Sequence, residues 1–462
     1  MIHIPPNIFP PTPGAYLVGG SIRDFLLGNS PLDYDVVVSE NPEKYAHHLA
    51  MDLPGRLVKI GKPGQTILRV VSKGINVDVS ALNGRNIAED LQKRDFTINA
   101  MAYELSSDTL FDNAGGQKDL VQKIIRMQSP QAFVSDPVRL LRAYRLAAGL
   151  NFVIEPKTMS AIERHANLIR HSAGERIRDE LFKMLGAPGS HPALSQMTDS
   201  GLLFQIFPEL SDPKKNIANA ADQRPAVEQT LASYYQLESL FEDLFQCLPR
   251  SLEPFYEGLD DTVKVLLKFS MLWHDIGRPK IQIQNENSMP RFEQRATQSA
   301  EIAKGICQRF RFSNLHTDYI NLIIQYHVQP FALFYANKNN KLIIKDLIRF
   351  FMNCREQIPE LMVHAIAELR GKTGINAAEN QSFLEFVIYL IQDEYARFKA
   401  IAATAPLISG RDLIREFGLT PSPVFKRVLR FVEEERLTRE KMTRTDALRL
   451  VEEYIAAPKS GT

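Results

Sequence analysis

Two aspartates one residue apart are the first feature of this sequence that could do chemistry. Asp33 and Asp35 lie in DYDVVV, an apolar run that alternates as a β-strand does. Alternation would place both carboxylates on one face of the strand and turn Tyr34 and Val36 to the other. Mg²⁺ prefers one or two carboxylates together with substrate phosphates. The spacing therefore predicts a Mg²⁺ site, and two ions there would stabilise the attacking and leaving oxygens of a phosphoryl transfer.

A third carboxylate, Asp78 in the strand-like run NVDVSAL, could complete the metal site. An exposed strand position is an equally good interpretation of the same residue.

A glycine pair lies directly upstream of the two aspartates. Gly19 and Gly20 follow the strand-like AYLV and precede a short helix from Ser21. Without side chains they let backbone amides approach an anion, and the helix start adds the positive end of its dipole. Arg23 adds a forked donor for phosphate oxygens. Each piece alone is common in turns, but their succession between Leu17 and Val38 predicts a triphosphate site.

These motifs resemble those of the bacterial class II tRNA nucleotidyltransferases and poly(A) polymerases, a branch of the DNA polymerase β-type nucleotidyltransferases. GGSIRD with LDYD resembles motif A, RDFTINAMAY motif B, LFDNAGGQKDL motif C and SDPVRLLRAYRL motif D. The resemblance implies a template-independent enzyme that extends the 3′ end of tRNA from a nucleoside triphosphate and uses Mg²⁺. It implies that Arg94 and Asp95, in motif B, help to hold the sugar and phosphates of the nucleotide.

The fourth motif predicts how the base is selected. SDPV indicates a helix start with Asp136 as its N-cap. Three arginines follow at intervals of three residues on one broad face and would read the base together with Asp136: Arg139, Arg142 and Arg145. Cytosine and adenine both present an amine beside a ring-nitrogen acceptor, so Asp136 accepting and Arg139 donating would select C and A. The alternative is that Asp136 only caps the helix and the arginines are solvated or bind phosphate. The family usually has glutamate where this chain has Ser135.

The segment before motif B predicts which nucleotide is added. Six residues, NGRNIA from Asn83 to Ala88, separate NVDVSAL from EDLQKRDFT. Family members that add the whole CCA end have a long loop here, which helps to switch specificity from CTP to ATP. The short loop resembles the CC-adding branch and predicts addition of two C residues from CTP. Full CCA addition, with ATP as a further substrate, is the runner-up, and an A-adding enzyme or poly(A) polymerase comes third.

A second function class comes from KFSMLWHDIGRP, which resembles the core of an HD-type phosphohydrolase domain. There, adjacent residues such as His274 and Asp275 bind a metal with further ligands, and His327 is one possible neighbour. Other residues stand where the remaining ligands are expected: Gln229, Arg295 and Ala367-Glu368. The favoured interpretation is a degenerate helical scaffold in which His274 and Asp275 make hydrogen bonds, and a metal phosphohydrolase is the alternative.

Composition limits the remaining possibilities. The net charge of +1 provides no global attraction to nucleic acid or lipid, so any basic surface must be local. The three cysteines lie far apart, which argues against a disulfide framework or thiolate zinc site and favours a reducing cytoplasm. The N-terminal segment lacks a basic region, and no apolar run approaches 18 residues, so neither a signal peptide nor a membrane anchor is expected. No stable protein partner is implied.

The periodicity divides the chain into a mixed and a helical part. Short strand-like runs from Gly14 to Ala102 give way from Asp136 onward to long segments with a 3.6-residue period. We therefore predict an α+β fold with four parts: a nucleotidyltransferase head (1–125), a helical neck with the base-recognition motif (126–190), an HD-like body (191–402) and a helical tail (403–462). The tail interleaves cations with acids, so tRNA contact and a solvated surface are equally open.

Overall fold

The computed structural model describes residues 8–31, 33–61, 66–210, 226–276, 289–372, 374, 376–439 and 441–456. The chain divides into two compact units, Met1–Pro208 and Glu209–Thr462. A β-sheet dominates the first half of the first unit, and helices form most of the remainder. The predicted α+β class is confirmed.

Within the described residues, seven strands form one mixed sheet in the order β3-β4-β5-β2-β1-β6-β7. The strands are β1 (Ala15–Val18), β2 (Asp33–Val38), β3 (Arg56–Ile60), β4 (Ile67–Ser72), β5 (Ile75–Ala81), β6 (Ala102–Glu104) and β7 (Thr109–Phe111). β2 and β5 pair in parallel, and the other neighbours are antiparallel. The centre of the sheet buries β-branched and leucine side chains, such as Leu17, Val36 and Val79, on the face that packs into the core.

The helices of the first unit pack on the sheet and then continue beyond it. They are α1 (Gly20–Leu26), α2 (Pro42–Asp52), α3 (Ile87–Gln92), α4 (Gly116–Gln122), α5 (Gln131–Ser135), α6 (Val138–Leu150), α7 (Pro156–His165), α8 (Gly174–Leu185), α9 (His191–Asp199) and α10 (Leu202–Ile206). A short parallel pair, β8 (Ile124–Ile125) and β9 (Val153–Ile154), lies between them. α6 buries Leu140, Leu141 and Tyr144 because its apolar residues recur with the helical period.

The described part of the second unit is helical. Its helices are α11 (Ala226–Glu242), α12 (Asp261–Trp273), α13 (Met289–Arg309), α14 (Asn314–Tyr326), α15 (Gln329–Lys338), α16 (Ile344–Cys354), α17 (Ile358–Gly371), α18 (Ala377–Tyr389), α19 (Ala396–Ala402), α20 (Gly410–Phe417), α21 (Pro423–Thr438) and α22 (Arg444–Ala456). A π-helical segment, Leu390–Tyr395, joins α18 to α19. The last three helices share a small core of their own that includes Leu413, Val428 and Val451.

The predicted boundaries fall between elements where the structure describes them. Residues 186–191 lie at the junction of α8 and α9, and residues 403–410 lie at the junction of α19 and α20. The polar stretch 212–224, with prolines at 213 and 225 near its ends, also predicts a break in the sequence, and it lies outside the described residues. The division into four parts stays a prediction. Among the helices described, none combines the length and the apolar character needed to span a bilayer.

Candidate active site

The two aspartates project from the same side of β2. Tyr34, Val36 and Val38 are buried at 4%, 0% and 3% exposure, whereas Asp33 and Asp35 are exposed. This is the alternation that the sequence predicts. The strand lies at the middle of the sheet, so its buried residues fix its register and with it the direction of both carboxylates.

Neighbouring strands add partners that the sequence did not reveal. Asp35 lies opposite Asp78 in the parallel register, and Asp78 lies opposite Arg69 in the antiparallel one. Arg69 donates to both carboxylate oxygens of Asp78, each at 2.7 Å. Asn76, which lies opposite Asp33, donates from Nδ2 to Asp33 Oδ1 at 2.8 Å. Cross-strand partners point to the same face, so these side chains form a polar surface around the two aspartates.

Asp78 is therefore engaged by a guanidinium. Among the residues that the structure describes, the one group of three potential metal ligands within 4.8 Å of each other lies elsewhere, in the second unit. Asp78, Asp33 and Asp35 do not form such a group of three ligands. Asp33 and Asp35 are left as the pair with oxygens directed to solvent.

Because Gly19 has no side chain, the space between the Asp35 carboxylate and the Arg94 guanidinium stays open. Its φ is +72°, and it precedes the first turn of α1. A Cβ placed on Gly19 would lie 3.1 Å from Arg94 Nη1 and 3.3 Å from Asp35 Oδ2. The glycine thus keeps a small cradle clear between a guanidinium and a carboxylate at the first turn of α1, which suits a phosphate group bound beside a metal.

The charges around Asp35 favour a bound cation. Although Asp35 keeps an exposed surface, the protein atoms around it remove part of its hydration, and this desolvation is the largest cause that raises its pKa. The negative charges of Asp78 and Asp33 raise the pKa further, while Arg94 and Arg69 oppose the shift. A carboxylate crowded by two others is relieved by a divalent cation. Since the donors are all carboxylate oxygens, they fit Mg²⁺.

Arg23 and Arg94 flank the glycine pair, and each is held by an acid. Arg23 donates from Nε to Asp24 Oδ1 at 2.8 Å and from Nη1 to Asn99 Oδ1 at 2.9 Å. Arg94 pairs with Asp90 at 2.9 Å. These contacts hold the two guanidinium groups at the edge of the cradle.

Asp95 is buried, and its carboxylate is occupied within the protein. It accepts from the Phe96 backbone N–H at 2.8 Å, from Asn99 at 3.1 Å and from Arg142 at 3.0 Å. Burial alone would raise the pKa of Asp95, but the charge and hydrogen bonds of Arg142 and the other two donors lower it. In this structure Asp95 positions Arg142. Asn99 donates to Asp95 and accepts from Arg23, so it links Asp95 to Arg23, a connection that the sequence did not suggest.

The N-cap predicted for Asp136 is wrong. Pro137 occupies the N-cap position of α6, and Asp136 is the C-cap of α5. Arg176 of α8 donates to both oxygens of Asp136, at 2.9 and 2.8 Å, because a planar guanidinium matches a carboxylate better than single helix N–H groups do. Although burial would raise the pKa of Asp136, the hydrogen bonds and charge of Arg176 lower it. Arg139 Nε lies 3.8 Å from Asp136 Oδ2, close enough to share a ligand with it.

The three arginines of this motif do not converge on one point. Arg139 donates to the Lys93 carbonyl at 3.0 Å. Arg142 and Arg145 instead pair with Glu180 of α8, at 3.0 and 2.8 Å. Burial lowers the pKa of Arg145 despite Glu180. Arg176 and Glu180, which organise the motif, lie about 40 residues downstream in GERIRDE, where their spacing carries no motif.

A polar cavity of about 300 Å³ adjoins these groups. It begins at Val37 and Ser80, each two residues beyond Asp35 and Asp78 on the same sides of β2 and β5. The other lining residues come from the end of β5 and the loop after it, from α3 with the segment that follows it, and from α6: Ala81, Asn83, Asp90, Lys93, Arg94, Asp95, Arg139 and Arg142.

The loop between β5 and α3 is shorter than predicted. α3 begins at Ile87, so the loop has Leu82 to Asn86 only. Its Asn83 backbone N–H donates to Asp90 at 2.9 Å, and Lys93 Nζ donates to the Asn83 carbonyl at 2.5 Å. The loop is thus fastened to α3 at the rim of the cavity.

The second unit brings together His274, Asp275 and His327, whose ligand atoms all lie within 4.8 Å of one another. The sequence suggested His327 as a neighbour but missed His364, which is fully buried beside them on α17. A histidine four residues before Glu368 in an otherwise apolar helix is the signal that could have found it.

Comparisons with known proteins agree with the motifs. Residues 15–86 and 71–126 match the model of the poly(A) polymerase head domain, and residues 151–212 match the probable RNA- and SrmB-binding site of polymerase A. A CC-adding tRNA nucleotidyltransferase of Geobacter sulfurreducens is 39% identical to this chain; the aligned region covers 48% of this chain and 52% of the relative, so the chain matches about half the length of that relative. An A-adding tRNA nucleotidyltransferase of Deinococcus radiodurans is 28% identical, and the aligned region covers 97% of both chains. The Thermotoga maritima CCA-adding enzyme in complex with tRNA has a similar fold, with a TM-score of 0.58 at 21% identity over 96% of this chain and 91% of that one.

Proposed function

Since the chain belongs to the family of bacterial class II tRNA nucleotidyltransferases and poly(A) polymerases, we propose that it adds C residues from CTP to the 3′ end of tRNA and releases pyrophosphate. The observation that carries this proposal is the pair of exposed carboxylates, Asp33 and Asp35, beside the cradle of Gly19 and the polar cavity.

The carboxylates would hold Mg²⁺, and two ions suit the reaction. Bound there, Mg²⁺ would favour ionisation of the tRNA 3′-hydroxyl and offset the charge of the triphosphate. The chain's own groups orient the phosphates. Backbone N–H groups at Gly19 and Gly20, with Arg23 and Arg94, bind the triphosphate so that the hydroxyl attacks the α-phosphate in line and pyrophosphate leaves.

Base selection would rest on Arg139, which lines the cavity, and on Asp136, which lies beside it. Because Arg176 keeps Asp136 ionised, the carboxylate can only accept hydrogen bonds, as the exocyclic amine of cytosine requires. Arg139, at 3.8 Å, can donate to the neighbouring ring edge. Uracil offers an acceptor where cytosine has its amine and would face the carboxylate unfavourably.

The choice of CC over CCA addition is supported by the fastened loop after β5. Two hydrogen bonds hold Asn83 to Asp90 of α3 and to Lys93 directly after it, so the loop has no long segment that could reshape the cavity for ATP. The Geobacter relative carries the CC-adding name, and the Deinococcus relative the A-adding one. A-adding and CCA-adding activities are therefore the competing candidates.

The tRNA would be recognised through its backbone and shape, since duplex RNA exposes little readable sequence. The match of residues 151–212 to an RNA-binding model supports contacts in that segment. Contact between the tail and tRNA, and a cytoplasmic location, stay predictions.

The test uses tRNA that lacks its 3′ CCA and tRNA that ends in CC, each incubated with CTP, ATP or both, and resolves products to single nucleotides. We expect growth by two C residues with CTP, and no further growth when ATP is added. Addition of CCA, of a single A to tRNA already ending in CC, or of long A tails would each refute CC specificity. No growth on any of these substrates would refute the function itself.

A further inference from the structure

A cavity of about 580 Å³ lies in the second unit between the end of α16, the segment before α20, and α21. Its wall is mostly aliphatic and includes Leu407, Ile408, Leu429 and Val432. Ligand sites are usually concave, with volumes of about 300–1,000 Å³, and are lined by apolar side chains with a few polar groups. The volume and the wall of this cavity fit that description.

The polar part of the lining carries positive charge that the protein does not neutralise. Three exposed cations line the cavity: Arg355, Lys426 and Arg430. Within the described part of the chain none of the three forms an ion pair, and Arg430 donates to the neutral amide of Asn353. Glu433, an acid of the same lining, accepts from the buried Arg436 at 2.9 and 2.6 Å and is neutralised by it. The cavity is therefore complementary to an anion.

The backbone is strained where one of these cations is attached. Arg355 has φ +46° and ψ −119°, a conformation that residues with a Cβ rarely adopt. Its carbonyl accepts from Tyr395 Oη at 2.7 Å, and Tyr395 ends the π-helical segment Leu390–Tyr395. Strained residues and π-helical turns both occur frequently at ligand sites. Two different departures from regular backbone thus meet beside the cavity.

The chemistry of the wall indicates which kind of anion fits. Among the described lining residues there is neither an aromatic ring nor a side-chain amide, the groups that usually stack on a nucleobase or read its edge. Aliphatic side chains instead bury an alkyl chain, and guanidinium and ammonium groups bind a carboxylate. Charge and wall together favour a small amphiphilic anion over a nucleic acid.

We propose that this cavity binds one free fatty acid, with its alkyl chain against the aliphatic wall and its carboxylate at Arg355 and Lys426. The bound acid would join the end of α16 to α21 and would offset the uncompensated positive charge of the lining. This inference concerns the second unit alone and does not depend on the proposed nucleotidyl transfer.

The test titrates the purified full chain with dodecanoate below its micelle concentration and measures binding by calorimetry. We expect saturable one-to-one binding, and binding of decanoate that is about tenfold weaker, the loss expected for two buried methylene groups. Dodecyltrimethylammonium, which has the same chain with a cationic head group, should not bind. Comparable affinity for that cation, or the absence of one-to-one binding of dodecanoate, would refute the proposal.

Substitutions locate the binding on the chain. Arg355→Gly should weaken dodecanoate binding about fivefold without lowering the Tm, because glycine adopts a positive φ without strain. Lys426→Ala, at an exposed position, should weaken binding by a similar factor. Arg427→Ala is the matched control, since it removes a neighbouring exposed cation that does not line the cavity, and it should bind as the unmodified chain does. Unchanged affinity in both cavity variants would contradict the site.

Vesicles of phosphatidylglycerol and a single-stranded RNA test the two other occupants that a cationic surface could have. We expect neither of them to displace dodecanoate. If one of them displaces dodecanoate from the unmodified chain and loses affinity in both cavity variants, the cavity serves a membrane lipid or RNA, and the fatty-acid proposal is overturned.

Discussion

Substituting Gly19 tests the active-site geometry at its narrowest point. Gly19 has φ +72° and ψ −137°, a conformation that residues with a Cβ rarely adopt. Gly19→Ala should therefore destabilise the protein by about 1–3 kcal/mol through backbone strain. In a unit of this size, 1 kcal/mol lowers the Tm by roughly 2–4 °C, so the variant should stay folded at assay temperature.

The effect on activity should exceed what the strain explains. The new methyl group would lie 3.1 Å from Arg94 Nη1 and 3.3 Å from Asp35 Oδ2, so both side chains must move by a few tenths of an ångström. Displacing catalytic groups by about 1 Å can cost about a hundredfold in rate. We therefore expect kcat/KM for CTP to fall by roughly tenfold, with additional loss if the methyl group also blocks a phosphate.

Gly28→Ala is the matched control. Gly28 also has a positive φ, of +81°, but among the described residues no atom lies within 4 Å of its added Cβ. Its backbone strain should be about 1–2 kcal/mol, without a change at the aspartates. The assay is steady-state CTP incorporation into tRNA, together with a thermal melt of each variant. An equal loss of activity in both variants, or full activity in Gly19→Ala, would refute the proposed cradle.

Three further predictions follow from the same site. Asp35→Asn should abolish nucleotide transfer while leaving the Tm near that of the unmodified chain, and transfer that persists at a tenth of the normal rate or more would contradict the metal assignment. Arg69→Ala removes a positive charge that lowers the pKa of Asp35, so that pKa should rise. The acid limb of the profile of kcat/KM against pH should then move to higher pH. An unchanged profile would show that Asp35 does not titrate in catalysis. Arg176→Ala removes the guanidinium that holds both oxygens of Asp136 and should reduce the preference for CTP over UTP by about tenfold, the order expected for one bidentate base contact. The preference is measured as a ratio of kcat/KM values. A lower rate with an unchanged ratio would assign Arg176 to structure alone.

The features that could be predicted from the sequence are those that depend on the local pattern of residues. The alternation of DYDVVV determines which face of β2 carries Asp33 and Asp35, and the change of period marks the passage from sheet to helices. The partners of these aspartates depend on strand register. Asn76 and Arg69 reach Asp33 and Asp78 because β5 lies between β2 and β4, an order that no local pattern encodes.

The wrong N-cap shows how tertiary contacts override a local rule. Asp before Pro is a strong helix-start signal, and α6 does begin at this point. The carboxylate of Asp136 nevertheless turns to Arg176, since two charge-assisted hydrogen bonds outweigh one cap to a backbone N–H. His364 was missed for a related reason. A single histidine in α17 carries no signal in the sequence, and only the fold places His274 and His327, at the ends of α12 and α14, beside it.

The head carboxylates should select an ion by its chemistry and not by charge alone. Asp33 and Asp35 offer exposed oxygens, which leave room for water and phosphates around an ion, as Mg²⁺ requires. Oxygen ligands suit Mg²⁺, whereas imidazole nitrogens suit transition metals. Nucleotide transfer should therefore start when Mg²⁺ is added to chain freed of transition metal, because the head carboxylates need no nitrogen ligand. Transfer that requires a transition metal would contradict this assignment.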